Sequence, residues 1–194
     1  MKNLKILTLT LAFSAFALVS CNKNKTEVVT ANKTDSTKVV KDSATIMAEK
    51  EAAAKAEIAS LPKPYHPEDN AEQKISEAAA QAKKENKNVM IQAGGNWCIW
   101  CLRFNKFVQT TPELKKLVDK NYIYYHLNYS PEVKNEKIFK KYGDPGKKFG
   151  YPVFIVLDQN GKQIHIQNSS VLEDGKGYSL EKVKKFFSDF APKS

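Results

Sequence analysis

Arginine is almost missing from this 194-residue chain: Arg103 is the single one among 31 basic residues, and the rest are lysines. Those lysines are spread along the sequence instead of gathered in one block, so the formal charge of +10 describes a solvated basic surface. With no recognisable binding module either, the pattern argues against a nucleic-acid partner. Long hydrophobic runs are also absent, apart from residues 6–19. That run is too short, and too quickly followed by polar residues, to span a membrane comfortably. Cysteine is scarce: only Cys21, Cys98 and Cys101 occur. No internal repeat is present. At this length there is room for one ordinary domain and a tail. The 42% of hydrophobic and 10% of aromatic residues suffice for a globular core there.

The first residues read as an address. Lys2 and Lys5 form a positive start, and residues 6–19 are apolar apart from Thr8, Thr10 and Ser14. The run ends in Leu18-Val19-Ser20-Cys21. This resembles the lipobox of bacterial lipoproteins, with 1–20 as signal peptide. The resemblance implies that Cys21 becomes the first mature residue and carries lipid on its thiol and amine. It places the chain in the cell envelope, lipid-anchored and facing the periplasm. Asn22 departs from the Asp that signals inner-membrane retention in some bacteria, which points towards the outer membrane. The alternative is an ordinary cleaved signal peptide in which Cys21 is incidental. With Cys21 lipidated, one Cys-x-x-Cys pair remains in an oxidising or externally maintained compartment.

Residues 21–67 read as an anchor, tether and spacer. The stretch 22–41 has no aromatic residue and cannot bury enough apolar surface to order itself. Residues 43–60 are Ala-rich, with Glu49, Glu51, Lys50 and Lys55 interspersed, a composition that favours a semi-rigid helix. Pro62, Pro64 and Pro67 then break it. The domain proper is expected over 68–194. Asp69 or Asn70 can cap a helix over 71–84 whose apolar side is Ile75, Ala78, Ala79 and Ala82. A buried strand follows over 88–93, broken by Gly94-Gly95, and a turn at Asn96-Trp97-Cys98 leads into a helix. Thr111, with Pro112 after it, caps a further helical piece. Then come an aromatic strand over 122–129, a helix over 131–141 and an apolar strand over 153–157. Asp158-Gln159-Asn160-Gly161 is a hairpin turn leading to a strand over 163–167. A last helix over 180–190 carries Leu180, Val183, Phe186, Phe187 and Phe190 as its stripe. This order makes an α/β domain, a mixed central sheet with helices on both faces.

The chemistry is concentrated at Cys98-Ile99-Trp100-Cys101. Two cysteines three apart at a helix start lie on one face, the first near the unsatisfied N–H groups. Those groups and the helix dipole favour negative charge, so Cys98 is expected to ionise more readily than a free thiol and to act as nucleophile. Cys101, one turn further in and shielded, would resolve the mixed disulfide. Such exchange needs no metal or organic cofactor. Two blander readings stand beside it. A zinc site needs two further ligands, and His66, His126, His165 and the carboxylates stand at no recognisable spacing. An inert structural disulfide is the other.

Trp97-Cys98-x-x-Cys101 between a strand and a helix resembles the thioredoxin superfamily. Tyr151-Pro152 before an apolar strand is similar to that fold's cis-proline loop, which lies opposite the cysteines and presents substrate backbone. The run from Ala78 to Lys87 narrows the resemblance to exported bacterial thioredoxin-like proteins that are similar to the C-terminal domain of the membrane disulfide reductase. The resemblance implies a thioredoxin-like fold over roughly 68–191 and a thiol–disulfide oxidoreductase of exported client proteins. Reductase or isomerase activity is favoured over oxidase, with electrons from a membrane donor. Trp97, Trp100, Tyr151 and Pro152 become candidate substrate contacts, Trp97 packing beside the disulfide and Trp100 covering one side. The departures are specific. Gln92 stands where thioredoxin has a buried Asp, His126 stands where it has a Lys, and the intervening pair is Ile99-Trp100. Gln cannot take up a proton, so slower resolution by Cys101 is expected. His126 is expected to fill a strand face more than to relay protons. A non-catalytic thioredoxin-fold binding module with a structural disulfide is the alternative function.

Overall fold

The computed structural model describes residues 42–193; the signal segment, Cys21 and the tether over 22–41 lie outside them. Helix α1, Ser43–Ser60, forms where alanine and charged residues predict it, with Asp42 accepting the Thr45 N–H at 2.7 Å as its cap. It buries none of its own residues. Near its end, however, Glu57 receives both the Nε–H and an Nη–H of Arg103, at 2.7 and 2.6 Å. The helix is therefore pinned to the domain by its last turns. Leu61 and Tyr65 follow, and both are buried. The boundary expected at residue 68 thus falls too late: part of the proline-rich spacer belongs to the packed unit, because an apolar side chain and a phenol ring there complete the core.

Helix α2, Ala71–Glu85, is capped by Asn70 and closes on Asn86 in the left-handed region. It buries Ala71, Ile75, Ala78 and Ala82. Strand β1, Asn88–Gly94, helix α3, Ile99–Thr110, helix α4, Pro112–Asn121, and strand β2, Tyr122–Asn128, follow. After them come α5, Glu136–Lys141, α6, Pro145–Phe149, and the β3–β4 hairpin, Val153–Leu157 with Gln163–Asn168. A two-residue ladder of β5, Glu173–Asp174, and β6, Gly177–Tyr178, precedes the last helix, α7, Leu180–Asp189. The main sheet runs β2-β1-β3-β4, with β1 parallel to β2 and antiparallel to β3.

Strand periodicity divides the core into two layers. Val89, Ile91 and Ala93 of β1, with Val153, Ile155 and Leu157 of β3, face α2 and α5. Met90, Phe154 and Val156 face the other way, into a cluster with Phe104, Leu114, Val118, Phe186 and Phe187 from α3, α4 and α7. Gln92 follows Met90 by two residues and so points into this second layer, beneath the start of α3. The helices on both faces and the mixed sheet are those expected from the sequence.

Four local expectations need correction. The segment 131–135 is a loop: Asn128 Nδ2–H donates to the Val133 carbonyl at 3.1 Å and Asn135 Nδ2–H to the Asn128 carbonyl at 2.9 Å. Those bonds, with Asn135 at φ 48°, hold a non-helical turn, and the helix starts only at Glu136. Thr111 sits at the start of α4 without a side-chain cap bond. Leu180 is exposed, because it occupies the first turn of α7 beyond the edge of the buried face. Helix α6 was not expected; it buries Pro145 and Gly146, the glycine lying against the Tyr151 ring.

Candidate active site

The site begins where β1 runs out. A Cβ on Gly94 would collide with the Cys101 sulfur, and one on Gly95 with the Trp97 ring and the Tyr129 carbonyl. Only glycine lets the strand end pass this closely beneath the α3 entry. The chain then turns, and Cys98 takes the N-cap position with extended backbone, φ −89° and ψ 105°. Its Sγ accepts the Cys101 backbone N–H at 3.2 Å. The two cysteines are disulfide-bonded with Cα atoms 5.2 Å apart, within the ordinary range for a bridge. Cys98 retains 6% of its surface and Cys101 none. Attack from outside can therefore reach only Cys98. On reduction the Cys101 N–H and the end of α3 favour a thiolate at that sulfur.

Across from the bridge, the Tyr151–Pro152 peptide is cis. The Tyr151 carbonyl lies 3.7 Å from Cys98 Sγ, and Pro152 is buried behind it. The Tyr151 ring stacks on Tyr129 at 5.0 Å and meets the Trp97 ring edge-on at 5.8 Å. Trp97 Nε1–H donates to the Tyr129 carbonyl at 2.7 Å, and the indole remains 49% exposed. Trp97, Tyr129, Pro131 and Lys134 thereby line an open, largely apolar depression beside the cysteines.

The structure brings Cys98, Cys101, Trp100 and Tyr151 into one cluster. Trp100 packs against the cysteine pair. Its ring meets Tyr178 edge-on at 5.7 Å, its carbonyl accepts the Tyr178 hydroxyl at 3.1 Å, and the Arg103 guanidinium lies 5.1 Å from its centroid. These contacts draw it partly into the core. Trp97 leans on the Tyr151 loop, where it offers the larger exposed apolar face.

A polar network that motif reading did not assemble lies under the bridge. Gln92 is fully buried; its Nε2 donates to Tyr65 Oη at 2.7 Å and to the Cys101 carbonyl at 3.0 Å. Its Oε1 accepts the Tyr124 hydroxyl at 2.7 Å. Asn96 fixes the Tyr65 backbone from the active-site loop, accepting its N–H at 3.2 Å and donating to its carbonyl at 2.8 Å. Burial pushes the Tyr65 and Tyr124 phenols well above the usual range, so both stay protonated. His126 pairs with Gln92 in the β1–β2 register. Its Nε2 is sealed without a hydrogen-bond partner, and its ring lies 5.1 Å from Tyr65 and 5.0 Å from Tyr124. Desolvation, with a smaller effect of His66, holds its pKa down to about 4. His126 thus packs as a neutral ring beside the network.

Tyr65 is the residue that sequence reasoning missed. Its one signal was to be the first aromatic after Phe16, in a segment otherwise free of large rings. Among the described residues no group of three His, Cys, Asp or Glu side chains is placed to hold a metal ion, and no helix is long and apolar enough to cross a membrane.

These features define a class. A sheet with helices on both faces presents a Cys-x-x-Cys pair at a helix start, opposite a cis-proline. Residues 70–159 match the family described as Thioredoxin-like, and the described domain has a thioredoxin-like fold. No curated protein matches the sequence. Among solved structures the chain is similar to the disulphide isomerase from Xylella fastidiosa Temecula1. The two are 23% identical over 67% of this chain and 98% of that one, with a TM-score of 0.59, and share the fold. It is also similar to the oxidised C-terminal domain of DsbD from Neisseria meningitidis, at 20% identity over 63% and 96% of the chains and a TM-score of 0.45. A thioredoxin from Thermus thermophilus matches at 19% identity, over 59% and 82%, with a TM-score of 0.43.

Proposed function

We propose that this chain is a thiol–disulfide oxidoreductase of exported proteins, anchored by lipid at Cys21 and facing the periplasm, with the outer membrane as the favoured site. The observation that carries the chemistry is the asymmetry of the pair: Cys98 is reachable and receives the Cys101 N–H, whereas Cys101 is sealed behind it. In the reducing direction, Cys98 thiolate attacks a client disulfide, one client sulfur leaves as thiolate, and a mixed disulfide forms. Cys101 then attacks Cys98 Sγ. The Cys98–Cys101 bond forms, the Cys98–client bond breaks, and the client leaves with both sulfurs reduced. Two electrons have passed to the client, and a membrane donor returns them to the pair. No metal or organic cofactor takes part. The exposed Trp97 face and the Tyr151–Pro152 loop receive the client segment, while Trp100 closes the far side. Reduction or isomerisation is favoured over oxidation, extending to this chain the activity named for the Xylella protein whose fold it shares.

The reduction potential of the pair tests this reading. It is read in defined glutathione or dithiothreitol buffers by tryptophan fluorescence, for which Trp100 is the expected reporter. A value near about −270 mV supports a reductase, and one near about −120 mV makes the protein a disulfide donor and reverses the direction. A pair that stays oxidised in mild reductant and turns over no client identifies a binding module with a structural disulfide. Cys101→Ala should accumulate mixed disulfides with client proteins; without them the assigned roles are wrong.

A further inference from the structure

We infer that Tyr65 is the hydrogen-bond donor to the resolving sulfur, its phenol O–H stabilising Cys101 as a thiolate in the site where no carboxylate stands. This rests on the exchange chemistry proposed above and assigns its second step a residue from outside the Cys-x-x-Cys motif.

The direction of each bond follows from what the partners can do. A peptide carbonyl only accepts, so the Gln92 atom 3.0 Å from the Cys101 carbonyl must be Nε2. The other hydrogen of the same nitrogen goes to Tyr65 Oη. On the opposite side Oε1 can only accept, so Tyr124 donates. Tyr65 is thus an acceptor towards Gln92, and its own hydrogen is left for another atom. In the disulfide no hydrogen bond joins the phenol to Cys101 Sγ, but that sulfur borders the same space beside Gly94. The point where a Cβ on Gly94 would sit is 3.0 Å from Tyr65 Oη and nearer still to Cys101 Sγ. Tyr65, Cys98 and Cys101 form one buried cluster. Gly94 keeps the space between phenol and sulfur open, and Asn96 and Gln92 hold the phenol there from backbone and ring.

In the disulfide the Cys101 sulfur is a weak acceptor. On reduction it becomes a thiol that must ionise before it attacks the mixed disulfide. A buried thiolate beside neutral groups alone is costly, whereas one charge-assisted hydrogen bond offsets much of that cost. Tyr65 keeps its proton throughout, because burial disfavours phenolate. The proton of the Cys101 thiol ends on the departing client sulfur. Cys101 thiol and the Cys98–client disulfide become the Cys98–Cys101 disulfide and a client thiol. The other titratable groups facing this spot are Cys98, Tyr124 and His126 of β2, and Tyr178 of β6, with His66 further out.

The test uses the full chain with Cys21→Ser and Cys98→Ala, which leaves Cys101 as the single thiol, titrated by its ultraviolet thiolate absorbance. Tyr65→Phe should raise the Cys101 pKa by about one unit, about tenfold less thiolate at a given pH. With both active-site cysteines present, the same substitution should slow resolution of a preformed mixed disulfide about tenfold at neutral pH and leave the attack by Cys98 unchanged. Fluorotyrosine at position 65, a stronger donor of nearly the same shape, should move the pKa down and covers the case in which the phenylalanine variant fails to fold. A Cys101 titration that ignores both changes overturns the inference, and the proposed function survives if the wild-type chain still exchanges disulfides. A wild-type chain with no exchange overturns the function, while the titration still decides whether the Tyr65–Cys101 bond exists.

Discussion

Replacing Gln92 by leucine separates the cost of lost hydrogen bonds from the cost of lost volume. Leucine nearly fills the space of glutamine, so no large cavity opens. It leaves the Tyr124 hydroxyl, the Tyr65 oxygen and the Cys101 carbonyl without the partners they have at 2.7, 2.7 and 3.0 Å. A buried polar group left unpaired costs about 1–3 kcal/mol. Taking the lower end of that range for each of the three groups, Gln92→Leu is expected to cost about 3 kcal/mol in all. At about 2–4 °C per kcal/mol for a chain of this size, the melting temperature of the oxidised protein should fall by about 9 °C. Urea unfolding at neutral pH measures the loss directly, with the slope against urea unchanged. The diagnostic step adds Tyr65→Phe and Tyr124→Phe to Gln92→Leu. Removing the orphaned hydroxyls should recover about half of the loss, since an apolar cluster without stranded polar groups is nearly neutral. If the triple variant is instead less stable than Gln92→Leu alone, by the sum of the separate costs, the network does not contribute through pairing.

Acid should destabilise the fold through His126. Its folded pKa of about 4 lies below the unfolded value of about 6.5, so the unfolded chain takes the proton first. The contribution is complete above about pH 6.5 and is lost as pH falls towards 4. His126→Phe should therefore lose about 2 kcal/mol less than wild type between pH 7 and pH 4.5 in urea unfolding; parallel losses would refute the assignment. Arg103→Ala should release α1. The bidentate pair with Glu57 is partly exposed, so global stability should fall by only about 1 kcal/mol. Amide exchange should accelerate over Ser43–Ser60 and stay unchanged in β1, and unchanged exchange in the helix would show that it is held by something else.

The helix over 43–60, the buried strand ending at Gly94 and the hairpin at Asp158-Gln159-Asn160-Gly161 were legible because each depends on neighbours in sequence. Alanine content, a continuous apolar run and an Asx-type turn act locally. The helix expected from residue 131 failed for the opposite reason: the Asn135 side chain reaches back seven residues to the Asn128 carbonyl while the Asn128 side chain holds the Val133 carbonyl, and local propensity does not record those bonds. Leu180 failed through its position on the helix, since a stripe drawn on one helix does not say where the facing layer stops.

The cysteine pair and its placement at a helix start were determined by the sequence itself, whereas the Tyr151–Pro152 loop came from the resemblance, and its cis peptide and its place beside Cys98 from the tertiary structure. A Cys-x-x-Cys spacing puts both sulfurs on one helical face whatever surrounds them. What lies beneath Cys101 and where the packed unit begins were decided only by the tertiary structure. Tyr65 is 27 residues from Gln92 and 31 from Asn96, and Tyr124 is 32 from Gln92. Those bonds exist because the parallel β1–β2 pairing and the return of the proline-rich segment bring distant polar groups into one buried space. Once water is excluded there, each group must find its partner in the protein.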